Sequence, residues 1–141
     1  MERPVATTDP LPALQALPDA HERLMWLTDR GRSAPALAAM ERVPAHRVPG
    51  CASAVWLVDE SAGGICRFRG DAEAPILRGL VALICDRAQG RPAAAVAADP
   101  TDVVSALGFE RHLSPTRVHG LRALQAHVRA RAAAHAADLR P

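Results

Sequence analysis

From Ser114-Pro115 onward no proline interrupts the chain before its last residue, and Val118, Leu121, Leu124 and Val128 recur at helical spacing into an alanine-rich end near Ala137. This predicts one long amphipathic C-terminal helix, capped by Ser114 with Pro115 at its first position. Other segments must cover its apolar stripe. Residues 52–60, ASAVWLVDE, are rich in β-branched and aromatic character, and Ser61-Ala62-Gly63-Gly64 can turn the chain into a second strand, ICRFRG. In that strand Ile65, Arg67 and Arg69 share a wet face, while Cys66 and Phe68 share the packed one.

Asp71 reads as the N-cap of a helix over about 72–88, with Leu77, Leu80, Val81, Ile84 and Ala88 on its apolar side and Gly90 and Pro92 beyond its end. Asp19 reads as the cap of another helix, with Leu24, Leu27, Met25 and Trp26 facing inward and Gly31 as the stop. A short helix is expected over 35–40 and an extended or loop segment over 41–50. Asp99-Pro100 is expected to open a short helix through Leu107, stopped by Gly108. The first 18 residues carry Pro4, Pro10, Pro12 and Pro18 and read as a weakly ordered tail or one short helix around 11–17. The sum is one domain over 19–141, of α+β class: a small antiparallel sheet packed against several helices.

Composition then removes several classes of function. At 141 residues, 49% apolar and 23% charged, the chain can bury one sizeable core. Its 17 basic residues are interspersed with 15 acidic ones, which argues against a nucleic-acid partner. All 17 are arginine. Without lysine there is no Schiff base to pyridoxal phosphate, no Walker A lysine and no Ser-Lys dyad. Tyrosine is absent and only two Phe and two Trp are present, so stacking platforms are scarce. Met1 to Thr8 lacks the pattern of a signal peptide, and the apolar run 76–85 is broken by Arg78 and Gly79, so a cytoplasmic protein with no membrane span is expected. Cys51, Cys66 and Cys85 form no CxxC pair, which speaks against a disulfide framework and a zinc site.

The chemistry concentrates on Val48-Pro49-Gly50-Cys51-Ala52-Ser53, where a Pro-Gly bend precedes a thiol and a strand. Such a bend can lift a thiol out of the core, and His46 and Arg47 are near in sequence. The alternative is a small buried residue at a strand start. Cys66 points inward and Cys85 borders an apolar stripe. A metal or cluster site would require the three cysteines to converge with a fourth ligand such as His112, against those orientations. A cysteine hydrolase would need a positioned histidine and an orienting carboxamide or carboxylate. His112 and His119 flank 114–117, but Gln89 and Gln125, the carboxamides beyond the start, fall on helices.

Three blocks make the sequence resemble the SufE family of sulfur-acceptor proteins. VPGCASAVWLV around Cys51 is similar to the family's Gly-Cys-x-Ser-x-Val-Trp; FRGDAEAPILRGLVAL, residues 68–83, to its Gly-Asp-x-Asp-Ala-x-Ile-x-x-Gly-Leu; and LSPTRVHGL, residues 113–121, to its Leu-Ser/Thr-Pro-Ser/Thr-Arg-x-x-Gly-Leu. With HERLMWLTDRGR upstream, the similarity spans about 19–137. Ala52 and Ala54 replace glutamines often found there, and His46 a frequent Asn, departures compatible with the CsdE-like branch.

The resemblance implies a fold shared with cluster-scaffold proteins. It also implies a role as sulfur acceptor and activator of a pyridoxal-phosphate cysteine desulfurase, SufS-like or CsdA-like. Cys51 would carry persulfide sulfur to a SufBCD-like iron–sulfur assembly scaffold. By the same resemblance Gly50 and Ser53 shape the acceptor loop, and Asp71 and Arg117 lie toward the partner. Such a protein is an accessory sulfurtransferase, monomeric or homodimeric, with no cofactor or metal of its own. An iron–sulfur scaffold and a cysteine-dependent hydrolase are the alternatives.

Overall fold

A computed structural model describes residues 9–139. Along the chain come α1 (Leu11–Gln15), α2 (Ala20–Ser33), two 3₁₀ turns (Ala39–Glu41 and Pro44–His46), β1 (Val55–Asp59), β2 (Phe68–Ala72), α3 (Pro75–Ala88), α4 (Ala93–Ala98), α5 (Val103–Ala106) and α6 (Pro115–Asp138). The expected α+β class with a long C-terminal helix is what the chain adopts. The expectations for residues 1–8 lie outside the described residues.

The apolar stripe expected for the third helix puts α3 at the centre, with Leu77, Leu80, Val81, Ile84, Cys85 and Ala88 all buried. One side of α3 meets β2 and another meets α2, while α4 packs on α6. The α2–α3 crossing depends on two glycines: a Cβ on Gly31 would overlap the Pro75 carbonyl, and one on Gly79 would overlap the Leu27 carbonyl. Gly31 is therefore a contact point inside α2. The helix runs on to Ser33, with Asp19 capping its start by accepting from the Glu22 amide at 2.9 Å.

The hairpin pairs β1 and β2 antiparallel in the register Val55↔Ala72 to Asp59↔Phe68. Gly63 and Gly64, at φ +61° and +78°, make the turn that side-chain-bearing residues resist. Cys66 and Phe68 are buried and Arg67 and Arg69 exposed, as the alternation required. Regular pairing is shorter at the Cys51 end than expected, beginning at Val55.

Several local expectations are corrected. Asp71 does not cap α3, because it belongs to β2 and the helix starts at Pro75 after Ala74. Residues 35–38 form no helix, and only Ala39–Glu41 turns. Met25 and Trp26 are exposed, and only Leu27 of the anticipated face is fully buried. Asp102, not Asp99, caps the short helix before Gly108, its carboxylate accepting from the Val104 amide at 3.1 Å. Of the two readings of the first 18 residues, the short helix is found, as α1, but its Leu11 and Leu14 are buried in the common core where weak ordering was expected. Among the described residues no helix is long and apolar enough to cross a membrane.

Ser114 accepts from the Arg117 amide at 3.2 Å and Pro115 occupies the first turn, which starts α6 as anticipated. Further along, α6 is tied to the end of β1: Asp59 accepts from Arg131 at 2.9 Å, pairs with His135 at 2.7 Å and accepts from the Ser61 amide at 2.9 Å. Burial alone would raise the Asp59 carboxyl, but the bonds from Ser61, His135 and Arg131 outweigh it and bring the group from 3.8 to about 2. A depressed carboxyl stabilises the fold above its unfolded value and ceases to do so as pH falls through its folded one. The urea midpoint should thus hold down to about pH 4 and fall between there and pH 2, with Asp59 alone contributing about 2 kcal/mol. A midpoint equally high at pH 2 and pH 5 would contradict this.

Candidate functional site: a sheltered thiol on a pinned loop

Val48 is buried, and its amide donates to the Val55 carbonyl at 2.9 Å, while Arg47 forms a bridge with Trp56. These contacts close the base of a loop over 49–54, which leaves the sheet and returns. Gly50 turns the loop at φ +85°, a conformation natural to glycine, and a Cβ there would come within 3.1 Å of Ala123 on α6. Cys51 follows directly and is half-buried. Its thiol donates to the Gly120 carbonyl of α6 at 3.2 Å.

Beside the sulfur is a cleft of about 20 Å³, floored by Val55, Leu77, Leu121 and Leu124 and edged by Ser53 and Arg117. A cavity of that size holds about one water-sized atom, and an apolar lining favours a sulfur over a water. Burial pushes the Cys51 thiol above its usual range, and Arg47 offsets only part of the rise. At rest the group is a protonated, hydrogen-bonded thiol. Moving outward would remove the effect of burial and leave Arg47 to favour the thiolate.

Asp71, expected from the resemblance to lie toward the partner, is 1% exposed and is bound from several sides by its own chain. Its carboxylate accepts from the Leu37 amide and Arg78 at 2.9 Å each, from Arg42 at 2.6 Å and from the Ala72 amide at 2.8 Å. Burial disfavours this charge, but the Leu37 amide, Arg42 and the Ala72 amide hold the carboxyl below its ordinary value. Arg42 also sits over the Trp56 ring at 5.4 Å. Asp71 thus joins 34–42, β1 and α3 into the base on which the Cys51 loop stands.

Cys51, Ser53 and Arg117 line one cleft, Gly50 turns the loop just before the thiol, and Asp71 is not among the lining residues. Gly120, which supplies the thiol's hydrogen-bond partner, was not singled out as a site residue. A glycine within a helical pattern is a sign of close backbone approach, and that sign was present. A Cβ at 120 would stand 3.6 Å from the Cys51 sulfur.

Cys66 and Cys85 are 0% and 5% exposed. Burial raises both thiols, that of Cys85 to about 12. Among the described residues no group of three His, Cys, Asp or Glu is placed to hold a metal. None of the described histidines bonds Cys51: His46 Nδ1 lies 2.8 Å from the Glu41 carbonyl and His112 Nδ1 lies 3.2 Å from the Gly108 carbonyl.

Fold and site together define an α+β protein with one half-buried cysteine on a loop and two buried ones. The family described as SufE, Fe-S metabolism associated domain, matches residues 10–132, and the chain belongs to that family. It is 38% identical to an uncharacterized SufE-like protein of Rhizobium etli, over 86% of this chain and 85% of the relative. It is 31% identical to an uncharacterized SufE-like protein of Rhizobium meliloti, over 82% and 86%. The solution structure of a hypothetical protein from Thermus thermophilus shares the fold, with a TM-score of 0.72 and 21% identity over 95% of this chain and 98% of that one.

Proposed function

We propose that the protein accepts sulfane sulfur from the persulfide of a pyridoxal-phosphate cysteine desulfurase, activates that enzyme by relieving it of sulfur, and carries the cargo on Cys51 to an iron–sulfur assembly scaffold. The carrying observation is that Cys51 is the one cysteine not fully buried and stands on a loop, hydrogen-bonded to Gly120 beside a small, largely apolar cleft with room for one more sulfur.

In the transfer, the Cys51 thiolate attacks the outer sulfur of the partner's persulfide. The partner's S–S bond breaks, its cysteine leaves as thiolate with the bonding electron pair, and Cys51 becomes the persulfide. Nothing is oxidised or reduced overall, and a second exchange of the same kind delivers the sulfur. The attack requires release of the Gly120 carbonyl and outward movement of the loop, which also returns the thiol to a more acidic setting. On closing, the cleft would shelter the new terminal sulfur from reductants. Lacking lysine, the chain cannot form the Schiff base that liberates sulfur from cysteine, so a partner must supply it.

Intact mass after incubation with a desulfurase and cysteine tests the reading. One added sulfur on the peptide containing Cys51 is expected; no gain, with the desulfurase active, would refute it.

A further inference from the structure

Most arginines of this chain are spoken for by carboxylates, including Arg42, Arg78, Arg87, Arg91, Arg122 and Arg131. Two that are not lie near the thiol. Arg47 is exposed at the foot of the Cys51 loop, and Arg117 edges the cleft on α6. Neither side chain has an ion-pair partner among the described residues. Glu41, six residues before Arg47 and a ready counter-charge, is instead bound to Arg69, and Arg69 also takes Glu60 at 2.8 Å. Arg47 is the charge that acts on the Cys51 thiol, and no carboxylate acts against it.

The Cys51 loop and the first turn of α6 expose Pro49, Gly50, Ala52, Ser53 and Thr116, which are small and uncharged. A neutral loop with two unneutralised guanidinium groups near it fits a partner whose surface supplies carboxylates at matching positions. Bidentate guanidinium–carboxylate pairs would then set the register in which the thiol is presented.

We propose that the Cys51 face docks against an acidic protein surface surrounding the donor persulfide, with Arg47 as the residue that steers and registers it. The inference rests on the carrier reading above and adds to it the chemistry of the partner's face. Charges at an interface rim act mainly on association, so their effect falls with ionic strength, the screening length being about 10 Å at 0.1 M salt.

The test is the second-order rate of sulfur transfer from persulfidated desulfurases of the SufS-like and CsdA-like kinds, at low salt and at about 0.5 M salt. Arg47→Glu should slow transfer about tenfold at low salt, with the deficit shrinking to about twofold at high salt, while Arg47→Lys stays near the wild-type rate. Arg67→Glu is the control, since Arg67 is exposed, lacks an ion-pair partner among the described residues and lies at the far end of the hairpin from Cys51. It changes net charge equally and should leave the rate within about twofold of wild type. Equal slowing by both variants, or no slowing by Arg47→Glu, overturns the proposal. So does an equal loss in the alkylation rate of Cys51 by iodoacetamide without partner, because the defect would then belong to the thiol. A wild-type protein that takes up no sulfur refutes the carrier reading itself, a result distinct from all of these.

Discussion

Cys51→Ser protein incubated with a cysteine desulfurase and cysteine will gain no sulfur, and it will fail to accelerate the desulfurase, whereas Cys66→Ser and Cys85→Ser will both load as wild type does. The expected contrast is complete because the three thiols differ in access. Cys51 stands on a loop closed at its base by a backbone bond, so it can leave its resting place without unfolding a strand or helix. Cys66 is fully buried just before β2, its backbone bonded to Gly90 and Arg91, and Cys85 is held within α3 with its thiol pushed up to about 12. A thiol so raised contributes almost no thiolate at neutral pH, and thiolate is the attacking species. Mass spectrometry of the loaded proteins separates the three. Loading of Cys51→Ser, or its loss in either core variant that still melts cooperatively, would remove Cys51 from the centre of the mechanism.

The largest effect on stability is expected from Gly79→Ala. In an exposed helix that exchange stabilises by about 1 kcal/mol. Here the new methyl group would overlap the carbonyl oxygen of Leu27 in the neighbouring helix, a backbone atom with no rotamer to adopt. α2 and α3 would have to part where Leu27 and Leu80, both 0% exposed, are buried. A loss of about 3 kcal/mol or more follows, read as a shift of the urea midpoint. Gly120→Ala provides the opposite case in the same fold, because its methyl group would meet Cys51 at ordinary contact distance, 3.6 Å. That variant should remain as stable as the parent. Comparable loss in both would mean that the α2–α3 approach is looser than described.

Sequence pattern served well where local chemistry decides the structure. Ser114-Pro115 started α6 because a hydroxyl acceptor and a fixed φ act within one turn, and two consecutive glycines turned the hairpin for an equally local reason. It failed where a residue answers to distant neighbours. Asp71 has the type and rough spacing of a cap, yet its carboxylate is taken by Leu37, Arg42 and Arg78, groups from 34 residues before it to 7 after. Gly31 resembles a helix stop but exists to admit α3. α4 went unseen because Pro92 reads as an end, although Pro92 stands at the N-cap of the helix that follows. At the site, the thiol and its loop were legible from the Pro-Gly bend. Its hydrogen-bond partner on α6 was legible only as an unexplained glycine in a helical pattern, since nothing in the sequence says which backbone, 69 residues away, approaches Gly120.

The burial of Cys66 and Cys85 has a bearing on oxidant exposure. With both kept inside, a peroxide that converts Cys51 to its sulfenic acid finds no second cysteine on the surface with which to form an internal bridge. The damaged protein therefore cannot lock itself into a dead disulfide-closed shape, and it also cannot rescue itself. Its return to service depends on thiols donated by other molecules, which ties its working lifetime to the reducing power of the surroundings.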